Sequence, residues 1–486
     1  MGGAAPRGAN RDGLLVLLLT LAALAIRLLD LGGQGLWFDE AYSVFIARLP
    51  LAQAWQALVA DGVHPPLYYA LLRFVLLFGD SEFAVRLPSA IAGALTIPLV
   101  YAIGQWTAGR RAGLAAAGLL VVAPFHVWQS RDARMYALLG LLWAACLLSY
   151  LSMVRRRSRA AAALFCLTHA VAYLTHYFAL FLPLLELLDL IVHLRERPRF
   201  VRWWTGLQAL SVLPFLAWAF VIAQRDAQIF GIGWVPRPQL ADLGWTLVNF
   251  TVGLTDSMQA WQWMAFALCL ALAALAIGAR WENPKSKWIV TAWALGPILI
   301  AFLLSLRRPV YMDRFLLECL PGLILLVAIG WSGLKGKLRV ITGALLAAAL
   351  AVSLVELVFL PGAQKEQWRE AAEQLQQARP GEAIVVRVLQ IVVPLSYYYR
   401  GDLPLEALEV NRQVGSLEEL AEGHSGVWLV YWNAAADAHR VDASPPFDPE
   451  AEANLIAARW IAGQGPRTIE RIDLTGGTLI HFEGLP

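Results

Sequence analysis

The sequence predicts a polytopic α-helical membrane protein of about eleven transmembrane helices, with a small C-terminal extracytoplasmic α/β domain. Three observations lead there. The 486 residues are 58% hydrophobic and 15% charged, with a mean hydropathy of +0.56. Soluble domains run nearer about 45–50% apolar and about 25% charged. Arginine clusters recur between pairs of apolar runs, and the composition changes at Pro361-Gly362.

The arginines set the count. Clusters stand at Arg7/Arg11, Arg110/Arg111, Arg155–Arg157, Arg195–Arg202, Arg280–Lys287 and Lys335–Arg339. If all face the cytoplasm, two spans separate each neighbouring pair. Between Arg11 and Arg110 three runs compete: Leu14–Leu31, Pro65–Phe78 and Ala84–Trp106. Pro65–Phe78 opens on Pro-Pro, carries Arg73 and falls short of the roughly 20 residues a crossing helix needs. It is read as an interfacial helix within a first outer loop, residues 32–83. The remaining spans follow at 112–128, 135–154, 160–176, 178–194, 203–223, 260–279, 288–306, 315–332 and 340–360, with residues 224–259 as a longer outer loop. The N-terminal run lacks a small-x-small cleavage site before Trp37, so it reads as a retained span.

Residues 1–361 thus form the membrane domain and 362–486 an outer one. In the latter, Lys365–Ala378 and Glu450–Ile461 have helical patterns. Glu382–Val388 and Gly426–Tyr431 read as buried strands, and Thr468–Leu474 with Thr478–Phe482 as a hairpin around Gly476-Gly477. The net charge of +3 is small and its arginines sit in short loops, which orients a membrane protein and excludes nucleic acid as a partner. The four cysteines fall inside apolar runs at no metal-ligand spacing and read as core residues.

The stretch Gly35–Tyr69 stands out. Two adjacent acids, Asp39 and Glu40, sit among Trp37, Phe38 and Tyr42, and the stretch closes on His64-Pro65-Pro66-Leu67-Tyr68-Tyr69. The topology puts further polar clusters on the same face: Arg86; then Arg131, Asp132, Arg134 and Tyr136; then His176 and Tyr177; then Arg307, Arg308, Tyr311, Asp313 and Arg314. Sidedness was set by the clusters of the opposite face, so this convergence is independent of it. Guanidiniums suit phosphate groups, aromatic rings suit sugars and lipid tails, and a carboxylate suits general-base work on a hydroxyl. Asp39, Asp132 and Arg134 are expected to line one outward site. Adjacent acids on a helix diverge by about 100°, so one of Asp39 and Glu40 does chemistry while the other orients the loop, for instance as a helix cap.

At these residues the chain resembles the glycosyltransferase-C superfamily, in particular the bacterial protein O-mannosyltransferase and aminoarabinose-transferase (ArnT-like) group. The resemblance rests on FDEA at 38–41, HPPLYY at 64–69, AVRLPSA at 84–90 and SRDARMYAL at 130–138. It covers about residues 10–330. It implies a transferase of the bacterial inner membrane that moves a sugar, with inversion, from a polyprenyl-phosphate donor to an acceptor hydroxyl of a protein, lipid or glycan. It makes Asp39 the catalytic base and matches Arg86, Asp132, Arg134 and Tyr136 to positions in relatives. The donor phosphate then falls to Arg86 with Arg134 or Arg314, and Glu40, His64, Tyr68, Arg131, His176, Tyr177, Arg308 and Tyr311 complete the substrate site. No cofactor is expected; a divalent metal at Asp39, Asp132 and His64 is the alternative. A transporter or flippase for a lipid-linked glycan is the competing reading, but internal pseudo-symmetry is not evident.

Overall fold

The computed structural model describes residues 7–156, 158–193, 198–224, 235–255, 257–281, 284–359, 365–387, 389–407, 424–432 and 468–483. The chain divides into two compact units. The first comprises Met1–Leu31, Pro50–Gly233 and Arg237–Gly362, the second Gly32–Leu49, Trp234–Pro236 and Ala363–Pro486.

The first unit is helical, and each expected span has a helical counterpart. Seven are long and apolar enough to cross a membrane among the described residues. They are α5 (Glu82–Ala108), α8 (Tyr136–Arg156), α11 (Pro198–Ala223), α13 (Ala260–Gly278), α14 (Pro284–Ser305), the 3₁₀ segment Asp313–Cys319 continued by α15 (Leu320–Gly333), and α16 (Gly336–Phe359). The other four are shorter, broken or charged, which is where the count of eleven and the count by length part. α1 (Arg7–Leu28) holds Arg11, Asp12 and Arg27. The run 112–128 is split into α6 (Arg110–Val121) and α7 (Pro124–Gln129), because Pro124 opens a new helix. α9 (Arg159–Tyr173) has 15 residues. The next span is a 3₁₀ turn, Tyr177–Phe181, leading into α10 (Leu182–His193). Pro65–Phe78 yields only α4 (Leu67–Val75), whose nine residues span about 14 Å at 1.5 Å per residue, too little to cross. α3 (Leu51–Asp61) precedes it. Within the loop expected at 224–259 lies a helix the sequence reading did not separate, α12 (Leu240–Val252).

Glycines let these helices approach. A Cβ at Gly104 would lie 2.7 Å from Gly113 Cα, and one at Gly330 would collide with Leu272 O. Such contacts replace the hydrophobic drive that lipid cannot supply. Gly330→Ala is therefore expected to push α15 off α13 and cost about 1–3 kcal/mol of overpacking, read as a lower unfolding midpoint in detergent. An unchanged midpoint would show that the contact yields. Two intramembrane acids, Glu186 and Asp189, are paired, whereas both carboxylate oxygens of the buried Glu318 are without a hydrogen-bond partner among the described residues. Glu186 Oε1 lies 2.9 Å from His169 Nε2, and Oε2 accepts from Trp204 Nε1 and Gln208 Nε2, both at 2.7 Å. Tyr150 Oη donates to Asp189 Oδ2 at 2.6 Å. The four cysteines are free.

The second unit is built on a five-stranded sheet of order β2-β1-β3-β5-β4. β1 (Glu382–Val386), β2 (Leu405–Ala407) and β3 (Gly426–Trp432) run parallel, with α18 (Leu389–Tyr398) leading from β1 towards β2. β4 (Thr468–Leu474) and β5 (Gly477–Glu483) form the expected hairpin, with β5 paired antiparallel to β3. Its turn needs glycine at 476, where φ is +79° and a Cβ would meet Glu366 Cγ at 2.6 Å. α17 (Trp368–Leu375) lies inside the helix expected at Lys365–Ala378; the helix expected at Glu450–Ile461 lies outside the described residues.

The N-terminal loop groups differently from the expected domain boundary. Gly32–Leu49, with its helix α2 (Phe38–Arg48), groups with residues 363–486 and not with the helices around it in sequence. Hydrogen bonds explain it. Arg369 donates to Gly32 O at 3.1 Å and Gly33 O at 2.9 Å, Leu36 N–H to Tyr398 Oη at 2.6 Å, and Phe38 N–H to Glu366 Oε2 at 2.8 Å.

Candidate active site

In the first unit, the polar side chains gather around the end of α1. The last carbonyls of a helix lack intrahelical donors. Arg131, on the turn after α7, supplies them: Nη1 donates to Leu29 O and, at 3.2 Å, to Arg27 O, and Nη2 donates to Asp30 O at 3.0 Å. Arg86 on α5 donates to Leu31 O at 3.0 Å. Cations there also oppose the helix dipole. Arg86 was expected at the donor phosphate and Arg131 in the substrate site; the structure gives each a backbone contact that ties the end of α1 to its neighbours. Burial and Arg86 lower the Arg131 pKa while Asp30 and Asp132 raise it, so two carboxylates and two guanidiniums share one field. Asp132 is buried within it. Beneath, Arg27 Nη2 lies 2.8 Å from His126 Nδ1. A Cβ at Gly93 would clash with Arg27 Nε at 2.8 Å and with Ser130 Oγ, so this glycine seats the turn.

The turn then brings Arg134 to a cluster of rings. Its carbonyl accepts from Ser89 Oγ at 3.0 Å, and that hydroxyl lies 3.5 Å from Tyr68 Oη. Its Nη2 lies 3.5 Å from His64 Nε2 and 3.4 Å from Tyr136 Oη. Phe315 is the hub: its ring centroid lies 5.4 Å from that of His176, 5.7 Å from Tyr136 and 6.3 Å from His64. Arg314 Cζ stands 5.7 Å from the Phe315 centroid. Four stretches far apart in sequence, 64–69, 130–136, 174–178 and 307–315, thus meet at one place. Arg134, His64 and His176 are buried and Arg314 is half-buried.

Both imidazoles are held neutral. Burial first, then Arg134, lowers the pKa of each; His176 and Arg314 add to the effect at His64, and His176 is pushed down to about 3. The folded pKa lies below the unfolded value of 6.5, so below that pH the unfolded chain binds more protons and folding loses stability. Each imidazole contributes a slope of about 1.4 kcal/mol per pH unit, until pH reaches its folded pKa. The unfolding midpoint is expected to fall between pH 7 and 5, with His64→Gln flattening the fall. A flat wild-type profile would contradict neutral burial.

The remaining residues are tied nearby or stand apart. Tyr177 Oη donates to Gly62 O at 2.9 Å and accepts from Trp218 Nε1 at 3.1 Å. Tyr311 Oη is 2.6 Å from Thr246 Oγ1, and Asp313 accepts from Thr246 and from Asn249 Nδ2. Arg308 is exposed.

Asp39 and Glu40 lie in the second unit, in the first turn of α2. Glu40 is fully buried. Its Oε2 accepts from Trp37 N–H at 3.4 Å, the backward half of a capping box, and from Lys365 Nζ at 3.3 Å. Asp39 is half-buried, and its carbonyl accepts from Ser43 Oγ at 2.9 Å. The two acids thus differ in what they hold: Glu40 fixes the helix start. Sequence reasoning missed Phe315, Ser89 and Lys365. Phe315 follows RRPVYMDR and Ser89 falls inside AVRLPSA, whereas Lys365 had no local signal.

Comparisons with known proteins agree with this fold. The family described as dolichyl-phosphate-mannose-protein mannosyltransferase matches residues 63–219. An undecaprenyl phosphate-alpha-4-amino-4-deoxy-L-arabinose arabinosyl transferase of Aeromonas salmonicida is 29% identical over 161 residues, covering 31% of this chain and 28% of that protein. The chain therefore matches under a third of that relative's length. The crystal structure of ArnT from Cupriavidus metallidurans bound to undecaprenyl phosphate superposes with a TM-score of 0.61 at 15% identity, covering 96% of this chain and 97% of that one. The archaeal oligosaccharyltransferase AglB of Archaeoglobus fulgidus, in complex with an inhibitory peptide and a dolichol-phosphate, gives 0.56 at 12% identity over 87% of this chain and 70% of that one. At these identities the likeness is one of fold. The resemblance to the ArnT-like group thus holds in sequence over part of the chain and in fold over most of it.

Proposed function

We propose that this chain is an inverting glycosyltransferase that moves a sugar from a polyprenyl-phosphate donor to an acceptor hydroxyl on the outer face of the bacterial inner membrane, with Asp39 as base. The observation that carries the reading is the Arg134 cluster. A buried guanidinium with a second close by, walled by Tyr136, His176 and Phe315, suits a phosphate joined to a sugar ring and an isoprenoid chain. The capped end of α1 adds the fixed charges of Arg86 and Arg131, which support the turn carrying Asp132 and Arg134.

In the proposed reaction Asp39 takes the proton of the acceptor hydroxyl. The oxygen attacks the anomeric carbon from the face opposite the phosphate. The bond between that carbon and the phosphate oxygen breaks, and its electron pair leaves with the lipid phosphomonoester. Guanidiniums stabilise the charge that grows on this oxygen. No resident metal takes part in the scheme. The test is purified protein with radiolabelled polyprenyl-phosphate sugars. A transferase releases free lipid phosphate and labels an acceptor. Donor crossing the bilayer intact would instead support a transporter or flippase.

A further inference from the structure

We propose that His176 is a tautomer-locked hydrogen-bond donor for the departing phosphate oxygen, and so favours the lipid phosphomonoester over the phosphodiester donor. The inference rests on the transferase reading above and assigns a role within its site. The lock is local. Phe178 N–H donates to His176 Nδ1 at 3.2 Å, and a backbone amide can only donate. Nδ1 is therefore the acceptor, and the ring proton of a neutral imidazole must sit on Nε2. Burial and Arg134 keep the ring neutral.

That Nε2–H has no acceptor among the described residues, although His176 is only 3% exposed. Its neighbours are rings: Phe178 at 5.1 Å, Phe315 at 5.4 Å, His64 at 5.6 Å and Tyr136 at 6.2 Å between centroids. A ligand that brings an anionic acceptor to this open donor gains a charge-assisted hydrogen bond worth about 1.5–3 kcal/mol. The fields of Arg134 and Arg314, both felt at His64, favour an anionic one. The donor phosphodiester has two terminal oxygens. The product monoester has a third, the one released from the anomeric carbon, and carries more charge. A contact made only to that third oxygen strengthens as the bond breaks, which is the condition for accelerating the step. A neutral donor suits the position because a third fixed cation would hold the product as firmly as it helped to form it.

His176 also starts the 3₁₀ turn at Tyr177, so its two nitrogens have separable duties. Asn keeps an acceptor near Nδ1, and it is a good residue at a helix start, but it has no donor at the reach of Nε2. Gln reaches the Nε2 position with an N–H but serves the turn poorly. Affinities of the full-length protein in detergent are measured for farnesyl phosphate and for its methyl diester. His176→Asn is expected to weaken monoester binding about tenfold, leave diester binding within about twofold, and so erase the preference. His176→Gln is expected to keep the preference. The inference falls if Asn leaves the ratio unchanged, if Gln loses it as fully as Asn, or if the wild type shows no preference. Wild-type protein that prefers the monoester yet releases no lipid phosphate from any donor would sink the transferase reading instead.

Discussion

Asp39→Asn is expected to abolish sugar transfer while leaving donor binding within about twofold. The amide is nearly isosteric but cannot take a proton, and a positioned general base contributes about 10²–10⁴ in rate. Glu40→Gln should leave measurable activity. Glu40 accepts the Trp37 N–H and faces Lys365, and an amide oxygen can still accept from both. Replacing Glu40 by Ala is different, since it leaves Lys365, whose side chain is 8% exposed, without that partner. Loss of one member of a buried pair costs about 3–5 kcal/mol, so that variant should lose folded protein before it loses chemistry. Single-turnover transfer beside a donor-binding assay separates these outcomes. Full loss in Glu40→Gln with activity surviving in Asp39→Asn would exchange the two roles.

Arg134→Lys should be nearly as severe, with a loss of about 10²–10³ in kcat/KM. The charge is kept, but the planar fork that reaches toward both His64 and Tyr136 is not. If the guanidinium holds the donor phosphate in ground and transition states alike, KM rises with kcat unchanged. If it acts on the leaving oxygen, kcat falls. A thermal midpoint within a few degrees of wild type must accompany either result. The Arg134 carbonyl, not its side chain, makes the bond to Ser89, so the turn should survive the change. Wild-type kinetics in this variant would remove Arg134 from the site.

Much of the fold was legible because its signals are local. Apolar runs between arginine clusters mark where helices lie, and Gly476-Gly477 between two alternating segments marks the hairpin. What stayed hidden depends on partners distant in sequence. Nothing in Gly32–Leu49 shows that its hydrogen bonds go to Glu366, Arg369 and Tyr398. α12 was obscured by the Trp, Pro and Gly residues in and around it. At the site, residue type indicated that guanidiniums and rings converge, but not which guanidiniums face other side chains. Arg86 and Arg131 bind helix-end carbonyls whereas Arg134 meets side chains, and in sequence all three are arginines beside apolar runs.

The tie between Gly32–Leu49 and the last part of the chain has a consequence for the order of synthesis. The ribosome completes Gly32–Leu49 early, yet the contacts of this segment with Lys365, Glu366, Arg369, Tyr397 and Tyr398 exist only after more than 300 further residues have emerged. Until then the carboxylate of Glu40 waits without its lysine, and the helix carrying Asp39 lacks most of what fixes its start. A chain stopped at Gly362 would contain every candidate site residue named from the sequence and still leave the proposed base unsupported. If Asp39 is the base, as proposed, transfer would wait until the C-terminal part of the chain had emerged.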